Sequence, residues 1–139
     1  MDELVRWLGE QLDRDREIAV AAKRQVGDDW GIGDEPYGFI LSDGDTVAYY
    51  EEAGSDTAMS RAAAVHAAQH DPARVLREID AKRQLLALHQ EKQGQGYGSD
   101  LCTECGFGEV GQSYYPCATL RLLALPYANR PGYREDWRP

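Results

Sequence analysis

Apolar positions near the start of the chain recur at Leu4, Trp7, Leu8, Leu12 and Ile18, with acidic and basic residues between them. That spacing follows the 3.6-residue period and predicts an amphipathic helix over residues 2 to about 25, with one side built to be buried. Four glycines and a proline in GDDWGIGDEPYG then break the pattern. They predict a loop whose Trp30 and Tyr37 anchor it to the core. The run YGFILSDGDTVAYYEE holds two β-favouring segments around Asp43-Gly44, a dipeptide suited to the positive φ angles of a tight hairpin turn. Strands are predicted near 37 to 42 and 45 to 51.

Alanine-rich TAMSRAAAVHAAQH predicts a helix from about 57 to 70, and Asp71-Pro72 restarts a helix as N-cap and first-turn proline. From Pro72 the pattern extends to about Lys92, with Val75, Ile79, Leu86 and His89 on one stripe, until QGQGYGS ends it. A last helix is expected from about Pro116 through Leu120, Leu123 and Ala124, followed by the aromatic, proline-punctuated LPYANRPGYREDWRP. The implied fold class is α+β, mostly α: helices packed with a small β-hairpin, the C-terminal half tied by a metal site. With 139 residues, one domain is expected. Residues 1–56 would supply the N-terminal helix and hairpin, and 57–139 the remaining helices and the cysteines.

The formal charge of −9 disfavours a nucleic-acid phosphate backbone as main partner, because such affinity comes from cations displacing counterions. It fits solubility, or docking on a basic protein surface. No apolar run approaches the roughly 18 residues of a membrane span. The first residues are acidic where a secretory signal would be basic. A cytoplasmic protein with no membrane partner is expected.

Three cysteines cannot all pair within one chain, and C-x-x-C in a reducing compartment points to metal or redox chemistry. In CTECG, Cys102 and Cys105 have the spacing that aims two thiolates at one tetrahedral ion, and Gly106 permits the tight turn whose amides reach the sulfurs. Eleven residues separate Cys105 from Cys117, which falls at a predicted helix start, where the helix end favours a thiolate. The layout is similar to a treble-clef zinc finger, but the position one turn after Cys117 is Leu120.

The fourth ligand must come from elsewhere. His89 is the leading candidate, because it lies on the inward stripe of the long helix; a packed, hydrogen-bonded histidine is the alternative. Glu104 and Glu109 are nearer in sequence but are harder oxygen donors, and His70 sits at the far end of the helix. The expected metal ligands are therefore His89, Cys102, Cys105 and Cys117, holding a structural Zn2+ in a closed shell with no place for an activated water. His66 and His70 lack the glutamate of an H-E-x-x-H pair and are expected at the surface or as a cap, His70 against the C-terminal end of its own helix. A redox C-x-x-C would sit at a helix N-terminus beside a strand, not after a glycine-rich loop. There is no P-loop and no G-x-S-x-G. No catalytic residue or organic cofactor is assigned, and the chain is not read as an enzyme.

The segment HAAQHDPARVLREIDAKRQLLALH, followed by C-x-x-C and PCATLRLLALPYANRPGYREDW, resembles domain of unknown function 6221, a group of small proteins of actinomycetes and their phages. The resemblance begins at MDELVRWLGEQLDRDREIA and spans essentially the whole chain. Its most specific elements lie at His70 to Leu76, Ala81 to Arg83, Pro116 to Ala124 and Tyr127 to Trp137; the stretch from Val26 to Glu52 departs most from the pattern. It implies an intracellular protein of actinomycete or phage context, supplies no activity, and makes the His89 and cysteine set part of a shared plan.

The function expected from these residues is a non-enzymatic, zinc-stabilised interaction module that docks on a protein partner. Tyr127, Tyr133 and Trp137 of the tail either form its docking face or fold back onto the core. The alternatives are a nucleic-acid-binding zinc protein using Arg121, Arg130, Arg134 and Arg138, and a zinc enzyme with an open coordination position.

Overall fold

The computed structural model describes residues 2–93, 101–105 and 115–139. The chain divides into two compact units, Met1–Arg14 with Asp80–Pro139, and Asp15–Ile79. The architecture is α+β and mostly helical, as the pattern predicts. Helix α1 spans Glu3–Val26, α2 Arg61–Gln69, α3 Pro72–Leu88 and α4 Ala118–Ala124. The unit boundaries fall inside α1 and α3.

In the Asp15–Ile79 unit, strands β1 (Gly38–Ser42) and β2 (Asp45–Glu51) form the expected antiparallel hairpin. Asp43 and Gly44 turn it with φ of 51° and 87°, the backbone an aspartate–glycine pair adopts at least cost. A third strand, β3 (Met59–Ser60), pairs parallel with β2. The pattern alone placed helix there; instead Ser60 caps α2, its hydroxyl accepting from the Ala63 amide at 3.2 Å. Ala64 and Ala68 of α2 are buried with Ile40 and Tyr50, and Trp30 packs against this cluster. Small side chains let the helix approach the sheet closely, so alanine here is core rather than mere helix former. Trp30 anchors its loop as expected, but Tyr37 is 65% exposed and does not. Ile18, expected on the buried stripe, is 62% exposed.

Asp71 caps α3 as its sequence predicts: its carboxylate accepts from the Arg74 amide at 2.7 Å and also from the Trp30 amide at 3.2 Å. His70 is the C-cap of α2, and its Nδ1 lies 2.8 Å from the His66 carbonyl oxygen. Both histidines are exposed, with ring centroids 4.3 Å apart.

In the other unit, Leu4, Trp7, Leu8 and Leu12 of α1 are buried, as are Leu120, Ala124, Tyr127 and Trp137. Trp7 stacks edge-on to Tyr133 (centroids 5.6 Å) and tilted to Trp137 (5.4 Å), and its indole N–H donates to the Pro131 carbonyl at 3.0 Å. Gly132 has φ +87°, and a Cβ there would come within 2.9 Å of the Trp7 indole nitrogen. Only glycine lets the chain turn that close to the ring. Of the two placements open to the tail aromatics, Tyr127 and Trp137 take the core one, so they offer no docking face. The tail arginines are engaged as well. Arg134 pairs with Glu3 and Asp136, Arg138 pairs with Glu135, Arg130 lies 4.7 Å over the Tyr127 ring, and Arg121 donates to the Pro116 carbonyl.

Candidate metal centre

Helix α3 ends at Leu88, four residues short of the expected Lys92. The reason is visible in the next residues: Glu91–Lys92 form a short antiparallel strand pair with Leu101–Cys102. His89 occupies the joint, its amide still bonded to the Leu85 carbonyl at 3.1 Å. It therefore keeps the helical direction of the stripe while the chain leaves the helix.

Thr103 fastens the joint. Its hydroxyl donates to the Leu88 carbonyl (2.9 Å) and accepts from the Gln90 amide (2.9 Å), while its own amide donates to the Gln90 carbonyl (2.9 Å). The Gln90 side chain in turn caps the open helix end at the Leu86 and Ala87 carbonyls, 2.8 and 3.2 Å away. Neither residue was singled out from sequence; a hydroxyl residue directly after the first cysteine was the only available sign. Together they fix His89 against Cys102.

Cys117 enters from the third direction. It is the N-cap of α4 rather than its first turn, with extended backbone (φ −72°, ψ 169°) and no side-chain cap bond. Its sulfur is thus not spent on the helix. Leu120, the position where a treble clef would place its fourth ligand, is fully buried and belongs to the core.

The result is a cluster of His89, Cys102, Cys105 and Cys117 whose ligand atoms all lie within 4.8 Å of one another. His89 Nδ1 is 3.3 Å from the Cys102 sulfur and 3.5 Å from each of the Cys105 and Cys117 sulfurs. Metal–nitrogen and metal–sulfur bonds of about 2.1 and 2.3 Å at the tetrahedral angle place nitrogen and sulfur about 3.6 Å apart. A single ring nitrogen has one proton or one lone pair to offer. Three sulfurs converging on it exceed what hydrogen bonding uses, and four such atoms could hold a cation between them.

Electrostatics point the same way. Burial alone would raise the Cys102 thiol, but the Cys105 amide, His89, the Glu104 amide and Cys117 outweigh it and bring Cys102 down to about 7. Cys105 is pushed up to about 11 by burial and by its hydrogen bonds and charge repulsion with Cys117 and Cys102. One thiolate is favoured and the next resisted, as repulsion between close like charges requires; a cation bound among them would favour the thiolate at each. The three cysteines are free thiols, Cys102 and Cys117 buried at 3% and 2% exposure. The residues present therefore fit a metal ion.

All four sequence candidates are brought together, while His66 and His70 lie in the other unit. Glu104 is exposed and is not in the cluster. Glu109 and the turn expected at Gly106 fall outside the described residues. Thr103→Val keeps the shape but removes the hydroxyl that joins Leu88 to Gln90. Loss of such outer-shell support typically costs about 10- to 100-fold in metal affinity. Competition with a chromogenic chelator should show a weakening of that order, and unchanged affinity would mean the joint does not position His89.

No curated protein and no solved structure matches this chain. One family model matches residues 1–139, the elements of both units and all four clustered side chains included. The chain belongs to the family described as Family of unknown function (DUF6221).

Proposed function

We propose that this protein is a small zinc-stabilised protein-interaction module without enzymatic activity. The observation that carries the reading is the convergence of three cysteine sulfurs on one imidazole nitrogen at 3.3 to 3.5 Å. Soft thiolate ligands with one imidazole favour zinc over magnesium or calcium. Four protein ligands fill a tetrahedral shell and leave no position for a reactive water, so the ion's part is to hold the fold. His89, Cys102, Cys105 and Cys117 are its ligands on this reading.

Interaction, rather than catalysis, is supported by the acidic surface and by large apolar side chains left exposed. The partner we propose is a protein. The tail arginines available for phosphate contacts are turned to neighbouring acids, rings and carbonyls instead. Among the described residues no helix is long and apolar enough to cross a membrane. Free thiols in a metal site suit a reducing compartment, so the cytoplasm of an actinomycete, or of one carrying a phage, is the setting proposed.

Elemental analysis of protein purified without added metal tests the reading. One zinc per chain is expected. A stoichiometry near zero in protein that is nonetheless folded would overturn it.

A further inference from the structure

Lys and Arg number 15 and Asp and Glu 24, yet between Arg24 and Arg61 there is no basic residue at all. That interval carries Asp28, Asp29, Asp34, Glu35, Asp43, Asp45, Glu51, Glu52 and Asp56, nine carboxylates, which equals the whole net charge of −9. The rest of the chain is balanced. Asp28 is held by Lys23; none of the other eight is in an ion pair among the described residues.

The β1–β2 hairpin lies in the middle of this interval. Ile40, Ser42 and Tyr50 point inward and are buried, whereas Phe39, Leu41 and Tyr49 are 50%, 44% and 38% exposed and Tyr37, one residue ahead of β1, is 65% exposed. Phe39 and Tyr49 are register partners, their rings 5.3 Å apart. A cross-strand aromatic pair steadies a hairpin by itself, which accounts for those two rings. It does not account for Tyr37 and Leu41, which extend the apolar surface along the same strand. Exposed apolar patches with a polar rim mark interaction sites, and tyrosine and phenylalanine are enriched in such contacts.

We propose that the outward face of this hairpin, formed by Tyr37, Phe39, Leu41 and Tyr49, docks a basic protein segment that alternates arginine or lysine with apolar side chains. The inference rests on the interaction-module reading above and names its surface and partner class. The aromatics receive the apolar side chains. Asp34 and Glu35 at one end, and Asp43 and Asp45 at the turn, receive the cations. Complementary charge at the rim selects the partner and speeds encounter, while the apolar contacts hold it.

The probe is a synthetic twelve-residue peptide alternating arginine with leucine or tyrosine, titrated into nitrogen-15-labelled zinc-loaded protein; oligolysine of equal charge is the control. Amide shifts are expected to concentrate at residues 37–51. The paired change Phe39→Ser with Tyr49→Ser should weaken binding at least tenfold while the amides of Ile40 and Tyr50 keep their positions. Asp43→Asn with Asp45→Asn should weaken it several-fold and flatten its salt dependence, and asparagine tolerates the positive φ of residue 43, so this variant reads charge without disturbing the turn. Equal binding of oligolysine, or no binding of the alternating peptide, overturns the proposal. Shifts mapped to another surface also overturn it while leaving the interaction-module reading standing; that reading falls separately, on the zinc content.

Discussion

Cys117→Ser should lower the melting temperature by about 10 °C or more, whereas His66→Ala should move it by no more than about 2 °C. Cys117 is 2% exposed and one of four converging donors, so the substitution opens the proposed shell in a buried place. A structural zinc contributes about 10 kcal/mol or more in small fingers, comparable to the whole stability of a domain. His66 is exposed; alanine removes its ring contact with His70 at the surface but keeps the backbone carbonyl that His70 Nδ1 meets. Calorimetry of both variants with and without chelator separates metal from packing. The Cys117→Ser deficit should shrink to a few degrees once zinc is stripped from both proteins. A deficit of equal size in stripped protein would mean that Cys117 is only a core side chain.

The second large effect is expected from removal of the proposed metal. Removing zinc with a strong chelator should strip hydrogen-exchange protection from residues 89–92, 101–105 and 117–127 by about 100-fold or more, a change of roughly 2.7 kcal/mol in local opening. These segments meet at the cluster, and the strand pair between 91–92 and 101–102 is too short to persist unaided. Ile40, Tyr50, Ala64 and Ala68 have their own packing in the other unit. Their amides should keep most of their protection. Mass-resolved exchange on stripped and reloaded protein reads this directly, and no change, or an equal loss across both units, would go against the account.

The parts legible in the sequence are those governed by local chemistry. Asp43-Gly44 specifies a turn and Asp71-Pro72 a helix start because each dipeptide has a narrow range of backbone conformations. Cys102 and Cys105 are recognisable because the C-x-x-C spacing, three positions apart, brings two sulfurs together within one turn of chain. His89 was recognisable from a helical stripe, and the structure keeps that direction although the helix itself stops one residue earlier. What was hidden depended on pairing between distant segments. The apolar pattern predicts helix to about Lys92, but the ladder to Leu101 diverts it into a strand. Met59 pairs with Tyr50 in a contact that no local pattern announces. Residue type and period predict Tyr37 and Ile18 inward, yet both are exposed, as apolar residues often are because a folded surface is largely apolar. Residue type leaves the tail aromatics free to face either way; the Trp7 ring and the close turn at Gly132 are what receive them.

On the proposed reading, one ion joins the end of α3, the C-x-x-C turn and the start of α4. A crystal structure of the metal-loaded protein, with anomalous scattering recorded at the zinc edge, tests it through four metal–ligand distances. The account predicts a zinc peak about 2.1 Å from His89 Nδ1 and about 2.3 Å from the sulfurs of Cys102, Cys105 and Cys117. A His89 ring turned away, with water or a carboxylate in the fourth position, would contradict it and return the open-site enzyme to consideration.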